Sequence, residues 1–287
     1  MLRFGMPPDW SLDGHRIDAL IGLANGLVAF YFVVVVAALA TMIVVFRRRP
    51  GRKVAYFDGS RRRDVWLATA LSALVFVSVD VNLEVHADLD LHRHFWNFPK
   101  PEEALRVEIM PQQWAWNIRY PGPDGKFGTA DDVVTLNDLR FPVGKPVLAR
   151  LMSKDVIHSF TLPFYRVKVD ANPGSMNEVW WQAEKPGTSE IACSQMCGWA
   201  HYKMRGTATA MEPADFDRWY AEAAAEARAG YDPKDTIAHW GWNWSSTGGD
   251  SSAGGETGKG TANVAPSPAA SPLAIVPRCA LASCRAL

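Results

Sequence analysis

The clearest pattern in the chain is a pair of long apolar stretches near its N-terminus. The first contains LVAFYFVVVVAALATMIVVF, 20 residues without a charge, and a helix needs about 20 such residues to cross a bilayer core of about 30 Å. The second, VWLATALSALVFVSV, reaches that length only by continuing toward Val85, with a buried soluble helix as the alternative. We therefore predict a membrane anchor over residues 1–100, with transmembrane helices at about 20–46 and 65–85.

The segment between the two stretches is strongly basic. Residues 47–63 contain eight Lys or Arg and one Asp. Because basic loops stay on the cytoplasmic side, we expect this loop to be cytoplasmic and both termini to lie outside. The apolar run is too long for a cleaved signal peptide, and the basic cluster follows it. These features predict an integral protein of the bacterial inner membrane, with residues after about 90 on the periplasmic side.

Beyond the anchor the pattern changes to short segments rich in Val, Ile, Thr and Trp, which end at Pro, Gly, Asn or Asp. They are LRVEIM, QQWAWNIRY, KPVLARLM, VIHSFTL, NEVWWQA, TSEIAC and GTATAM. About seven strands in this length predict an all-β sandwich or barrel over residues 101–212.

Two further regions complete the chain. EPADFDRWYAEAAAEARAG has a Pro and acidic residues at its start and a terminal Gly, so we predict a helical extension over residues 213–244. Residues 245–287 are rich in Gly, Ser, Ala and Pro, a composition that predicts a disordered tail. Cys279 and Cys284 lie in that tail, and we expect them to be free or mutually oxidised.

The balance of charge gives no support to a nucleic-acid partner. The 30 basic and 30 acidic residues balance, so the composition gives no indication of nucleic-acid binding.

The run CSQMCGWAHYKM concentrates candidate ligands: Cys193, Cys197, His201 and Met204. In an oxidising compartment a disulfide is the default expectation for two cysteines. Zinc binds Cys and His but has no use for a thioether, whereas Met is a soft ligand typical of copper sites. The strand-like residues before the run and Gly198 within it predict a compact loop between two strands.

Two thiolates exceed what a mononuclear electron-transfer copper needs. Two thiolates are explained if they bridge two copper ions. A bridged pair then needs one terminal nitrogen ligand for each metal, so a second histidine must come from elsewhere in the chain. His158, in KDVIHSFTLP, lies on a strand-like segment 35 residues before Cys193 and is the candidate. Taken together, these residues favour copper over a disulfide.

The segments KDVIHSFTLPFYRVKVDANPGSMNEVWW and GTSEIACSQMCGWAHYKMRG resemble the copper-A domain of cytochrome c oxidase subunit II. QQWAWNIRYP and the two-helix anchor extend the resemblance over about residues 17–211. It implies a two-helix transmembrane hairpin followed by a cupredoxin-like Greek-key sandwich.

The resemblance also implies a ligand set for a binuclear copper centre. Cys193 and Cys197 would bridge the metals, His158 and His201 would be terminal ligands, and Met204 would be axial.

The remaining copper ligand in this family is a backbone carbonyl, here that of Gln195. The family usually has a glutamate at this position, which also binds magnesium at the interface with the catalytic subunit. A backbone carbonyl survives the change, but an amide oxygen is a poorer ligand for a hard cation than a carboxylate. Magnesium at Gln195 is therefore left open.

Trp114 matches the family residue that takes electrons from cytochrome c. In QQWAW, Trp114 and Trp116 alternate, so a strand would place both on one face. Ala115 stands where the family usually has tyrosine, which is expected to alter the docking surface.

By this resemblance the chain would be subunit II of a haem-copper terminal oxidase. It would pass electrons from cytochrome c, or a small copper protein, to the catalytic subunit that reduces oxygen with proton pumping. The alternatives are the copper-A subunit of a nitric oxide reductase and a membrane-anchored copper chaperone.

Two acidic features have less specific interpretations. Asp64 could serve proton uptake, although a solvated aspartate at a helix start is the simpler interpretation. Residues 122–133 place three aspartates among glycines, which favours a solvated hairpin turn over a calcium site.

Overall fold

The computed structural model describes residues 5–51, 53 and 58–232 of the 287-residue chain. Two long helices come first, α1 (Gly14–Phe46) and α2 (Arg62–Phe95), and both are long and apolar enough to cross a membrane. Their large apolar side chains, such as Phe32 and Ile43, are exposed. The hydroxyls of Tyr31 and Ser78 lie 2.7 Å apart and join the two helices.

The second helix differs from its predicted form. It continues about ten residues past the predicted end near 85, with π-helical hydrogen bonding at Val77–Val81 and Leu91–Phe95. Asp64 lies in its first turn, where it is not fully solvated. The Asp64 side chain is 16% exposed, and its Oδ1 lies 3.2 Å from Nε of Arg63.

The next region consists of ten β-strands. They are β1 (Leu105–Gln112), β2 (Ala115–Tyr120), β3 (Val133–Leu136), β4 (Asp138–Pro142), β5 (Pro146–Leu151), β6 (His158–Leu162), β7 (Val167–Ala171), β8 (Asn177–Gln182), β9 (Gly187–Cys193) and β10 (Arg205–Met211). The last helix of the described residues, α3 (Pro213–Gly230), follows them where the helical extension was predicted, and residues 233–244 of that extension lie outside the described part of the chain.

The strands form two five-stranded sheets, in the orders β3-β2-β1-β5-β8 and β4-β10-β9-β6-β7. β1 pairs with β5 in parallel, as β10 does with β4, and the other pairings are antiparallel. Inward-facing side chains of both sheets, including Trp116, Phe141 and Phe160, form one core. The predicted two-helix anchor followed by a cupredoxin-like Greek-key sandwich is thus confirmed, and the predicted tail lies outside the described residues.

Three strands were not predicted from the sequence: β3, β4 and β7. Each lies at the edge of its sheet. Edge strands are short and carry charged side chains, as β4 does with Asp138 and Arg140, so the apolar alternation of a central strand is missing.

The segment before α1 attaches to the sandwich. The backbone N–H of Trp10 donates to the Phe164 carbonyl at 2.9 Å, and the Trp10 carbonyl accepts from the N–H of Glu184 at 2.9 Å. The Trp10 ring packs on Phe164 with 4.6 Å between ring centroids. At the other helix, Nε1 of Trp180 donates to the Phe95 carbonyl at 2.9 Å. The N-terminal end of α1 and the C-terminal end of α2 therefore both meet the β-domain.

The segment 122–133 joins β2 to β3 in a hairpin. Asp124 is exposed, as a solvated turn predicts, but Asp131 and Asp132 are not. Asp131 is 4% exposed and accepts from Thr129 and from Arg228 of α3 at 3.0 Å. Asp132 accepts from the N–H of Gly128 and pairs with Arg119 at 3.5 Å. Protein groups therefore contact both of these carboxylates.

Candidate metal centre

Strand pairing brings the distant histidine to the cysteine motif. β6 begins at His158 and β9 ends at Cys193. These strands pair so that Phe160 lies opposite Cys193. The loop 194–204 then returns to β10 and contains a 3-10 turn at His201–Lys203. The predicted compact loop between two strands is confirmed.

Five side chains converge where this loop meets the ends of β6 and β9. The Cys193 and Cys197 sulfurs are 3.8 Å apart, and Nδ1 of His201 lies 3.4 Å from the Cys197 sulfur. The sulfur of Met204 lies 3.7 Å from that of Cys197 and 3.2 Å from Nδ1 of His158. His158 and Met204 are fully buried, at 0% and 1% exposure.

A sixth donor comes from the backbone. The carbonyl oxygen of Gln195 lies 3.3 Å from the Cys193 sulfur, between the two cysteines of the loop. Gln195 as a whole residue is exposed. Among the described residues, the one group of three or more His, Cys, Asp or Glu compact enough to hold a metal is His158, Cys193 and Cys197.

Asp155 fixes the orientation of His158. Its Oδ1 lies 2.9 Å from Nε2 of His158, and its Oδ2 accepts from the backbone N–H of Gln113 at 2.6 Å. With Nε2 bonded to a carboxylate, Nδ1 faces the sulfurs. Such carboxylate–histidine pairs set the tautomer and raise the basicity of a metal-binding imidazole. The sequence signal was available, an Asp three residues before the histidine, but it was not singled out.

The two thiols ionise differently. Burial opposes ionisation of Cys193, but hydrogen bonds from His158 and from the backbone lower the pKa of Cys193 to about 6. Burial and the neighbouring charge of Cys193 raise the pKa of Cys197 to about 12. A positive metal ion between the two sulfurs would favour the ionised form of both thiols.

Trp114 does not share a face with Trp116, so the predicted alternation was wrong. Trp114 precedes β2 in a turn and is 36% exposed, whereas Trp116 is fully buried with its ring 6.3 Å from that of His158. Nε2 of Gln113 donates to the Cys197 carbonyl at 2.7 Å. This bond holds the turn against the ligand loop, which is the loop 194–204 that carries most of the candidate metal ligands.

Gly198 permits that contact. Its φ is +121°, and a Cβ there would lie 2.6 Å from Nε2 of Gln113 and 3.4 Å from the Trp114 ring. The Trp114 ring therefore lies directly over the backbone beside Cys197. Trp199, 81% exposed, meets it edge-on with 6.4 Å between ring centroids.

The donor set fits copper. A disulfide would bring the sulfurs to about 2.05 Å, far closer than the separation here, and both cysteines are free. Two thiols, two imidazoles, a thioether and a carbonyl exceed the four ligands of a structural zinc site. Soft sulfur donors combined with imidazole are the ligands that copper prefers.

Comparison with known proteins identifies relatives of this chain. Residues 105–210 match the family model described as cytochrome c oxidase subunit II, periplasmic domain. The alternative cytochrome c oxidase subunit 2 of Bradyrhizobium diazoefficiens is 32% identical over 227 residues, covering 71% of this chain and 78% of the relative. Subunit 2 of Alkalihalophilus pseudofirmus is 26% identical, covering 83% of this chain and 64% of the relative.

The chain is also similar to the crystal structure of the periplasmic domain of subunit II from Bradyrhizobium japonicum. That match has 29% identity and a TM-score of 0.40, and it covers 45% of this chain and 97% of the other. The identity and two-sided coverage of the Bradyrhizobium diazoefficiens relative establish the family. The chain belongs to the cytochrome c oxidase subunit II family.

Proposed function

We propose that this chain receives electrons from a soluble one-electron carrier at a binuclear copper centre and delivers them to the haem-copper catalytic subunit of a terminal oxidase. The observation that carries the proposal is the convergence of six donors, two of them free thiols 3.8 Å apart, from one loop and the ends of two strands.

A copper pair held here would supply a one-electron redox centre whose charge is shared between two metals. His158, Cys193, Cys197, His201 and Met204 would hold it, together with the Gln195 carbonyl. A buried sandwich core behind His158 limits the movement of these groups, and rigid ligands favour rapid electron transfer because little has to rearrange. Magnesium is not part of this proposal.

Trp114 would be the residue at which electrons enter. It is exposed, and its ring lies over Gly198, next to the ligand Cys197. Trp116, in contrast, is enclosed in the core and cannot touch a soluble partner.

The membrane placement follows from the two helix ends. The segment before α1 and the end of α2 both contact the β-domain, so the loop joining the helices would lie on the opposite side of the bilayer. That loop and the first two residues of α2 together carry eight basic residues and one acidic residue, as cytoplasmic loops do. We propose that the β-domain is periplasmic, that the loop is cytoplasmic, and that the exposed apolar faces of α1 and α2 contact lipid and the other oxidase subunits.

Electron paramagnetic resonance of the full chain in detergent, loaded with copper, tests the proposal. We expect a purple protein whose hyperfine pattern shows one unpaired electron shared equally between two copper nuclei. Cys193→Ser should abolish that pattern, while Cys279→Ser, in the C-terminal tail, should leave it intact. A mononuclear copper pattern from the unmodified chain, or zinc in place of copper, would refute the proposal.

A further inference from the structure

We infer that the electron carrier that docks on this chain presents an apolar face ringed by acidic groups, and not a basic one. The inference rests on the proposed function and identifies the chemistry of the partner. It concerns the copper-site end of the sandwich, defined as the four loops at residues 113–114, 152–157, 172–176 and 194–204.

The copper-site end carries a cluster of exposed large apolar side chains. They are Trp114, Val156, Ile157, Met196, Trp199 and Tyr202, with exposed fractions from 36% to 81%. Contact between Trp114 and Trp199 makes the cluster continuous across two loops. Single exposed apolar residues are ordinary, but a contiguous group beside a functional centre is typical of an interaction site.

The charges of these loops are few and mostly positive. Only Lys154, Asp155 and Lys203 are charged in the four loops, all of which are described. The Asp155 oxygens accept from His158, Gln113 and Val156, so this carboxylate is already engaged within the protein. Nζ of Lys203 lies 5.5 Å above the Tyr202 ring. The charges offered to a partner are therefore two exposed ammonium groups, those of Lys154 and Lys203, and that of Lys203 lies beside an exposed aromatic ring.

The charged residues at the strand ends next to these loops do not make the copper-site end acidic. Arg205, the first residue of β10, is exposed. Asp170 lies 3.9 Å from Lys168, and Glu178 lies 3.3 Å from Arg150, so both carboxylates are balanced by neighbouring cations.

This distribution contrasts with the rest of the region. Residues 101–244 contain 19 acidic and 15 basic residues, so the acidic excess lies away from the copper-site end. Charge patterns of this kind steer encounters, because opposite potentials accelerate association and like potentials slow it. A strongly basic carrier would find no acidic surface here, whereas an apolar face ringed by carboxylates would meet Trp114 and Trp199 and pair with Lys154 and Lys203.

The test uses the assembled oxidase containing this chain. Two reduced carriers of similar potential, one acidic and one strongly basic cytochrome c, are mixed with the enzyme, and the second-order rate of electron transfer is followed against ionic strength. We expect the acidic carrier to react faster, and its rate to fall as salt rises. Lys203→Glu and Lys154→Glu, made separately, should each lower the rate with the acidic carrier several-fold and raise it with the basic one.

Matched controls separate charge from general damage. Lys145→Glu changes the same residue type just before β5, at the opposite end of that strand from Lys154, and should leave both rates unchanged. Trp199→Ala should slow both carriers, because it removes shared apolar contact. Trp96→Ala removes a tryptophan that is also exposed, at 57%, near the anchor and should slow neither.

The outcomes distinguish this inference from the function on which it rests. A basic carrier that reacts faster with the unmodified enzyme, with a rate that falls steeply with salt, would overturn the inference while leaving the copper function intact. Loss of the catalytic subunit on purification of Trp199→Ala would also overturn it, by showing that the cluster is a subunit interface. Absence of the binuclear copper signal, or of reduction by a small neutral reductant, would instead refute the proposed function.

Discussion

Asp155 holds His158 by a 2.9 Å contact between Oδ1 and Nε2, which leaves Nδ1 of the imidazole facing the sulfurs of Met204 and Cys193. The histidine is fully buried, so without this acceptor its second nitrogen would lack a partner inside the protein. The carboxylate therefore decides which nitrogen of His158 is available to a metal.

Asp155→Asn should lower copper affinity by roughly 10–100-fold, the usual effect of removing a carboxylate that orients a metal-binding histidine. An amide at this position accepts a weaker hydrogen bond and leaves the imidazole less basic. Competition with a copper chelator measures the change, and Asp170→Asn, which alters a carboxylate paired with Lys168, is the control. Equal affinity for the variant and the unmodified chain would show that His158 is oriented by other contacts.

Gly198→Ala should slow electron acceptance from the soluble carrier more than it alters the copper spectrum. The added Cβ would lie 2.6 Å from Nε2 of Gln113, so the turn that holds Trp114 must move away from the ligand loop. Stopped-flow mixing with a reduced carrier measures the rate.

Gly174→Ala is the matched control for this change. Gly174 also has a positive φ, +73°, but a Cβ there meets nothing within 4 Å. The control therefore carries only the left-handed backbone penalty of about 1–2 kcal/mol. Equal effects of the two variants on the rate would mean that backbone strain, and not displacement of Trp114, is responsible.

Trp10→Ala should destabilise the attachment of the N-terminal segment to the β-domain by about 2 kcal/mol, less than the roughly 3–5 kcal/mol lost when a fully buried tryptophan is truncated. The Trp10 ring packs against Phe164, and a Cβ on Gly187 would come within 2.8 Å of it, so the fit is close. Thermal unfolding of the full chain in detergent measures the loss. Trp96→Ala should cost clearly less, and a reversed order would contradict the assigned packing.

Glu108 should make the free energy of unfolding fall as pH rises. Burial raises the pKa of Glu108 above its usual value, although Arg119 and Arg150 lower it in part and Asp132 adds to the rise. The folded chain then retains the Glu108 proton at pH values where the unfolded chain has lost it. Unfolding therefore becomes easier from about the ordinary pKa of 4.5 up through the higher folded pKa.

Denaturant titrations at several pH values test this. Glu108→Gln should flatten the decline over that range, because a glutamine cannot titrate. Glu102→Gln alters an exposed carboxylate and should leave the slope as it is. If the free energy of unfolding of Glu108→Gln falls with pH as steeply as that of the unmodified chain, other groups cause the fall.

Much of this protein could be predicted from local patterns. The apolar stretches predict α1 and α2 because a bilayer requires a fixed apolar length, and the central strands are visible because they alternate and are rich in branched and aromatic residues. The cysteine motif could be interpreted because four of its candidate ligands lie within twelve residues of one another.

What the sequence by itself determined is therefore the membrane anchor, the β class of the domain and the chemistry of the ligand loop. The tertiary structure decided how His158 reaches Cys193, through β6–β9 pairing, and that Asp155 orients it. It also decided that Trp114 is exposed while Trp116 is buried, and that Arg228 and Arg119 bind the aspartates of the β2–β3 hairpin. Such contacts join residues that are far apart in the chain or lie in irregular turns, where no periodic pattern fixes the direction of a side chain.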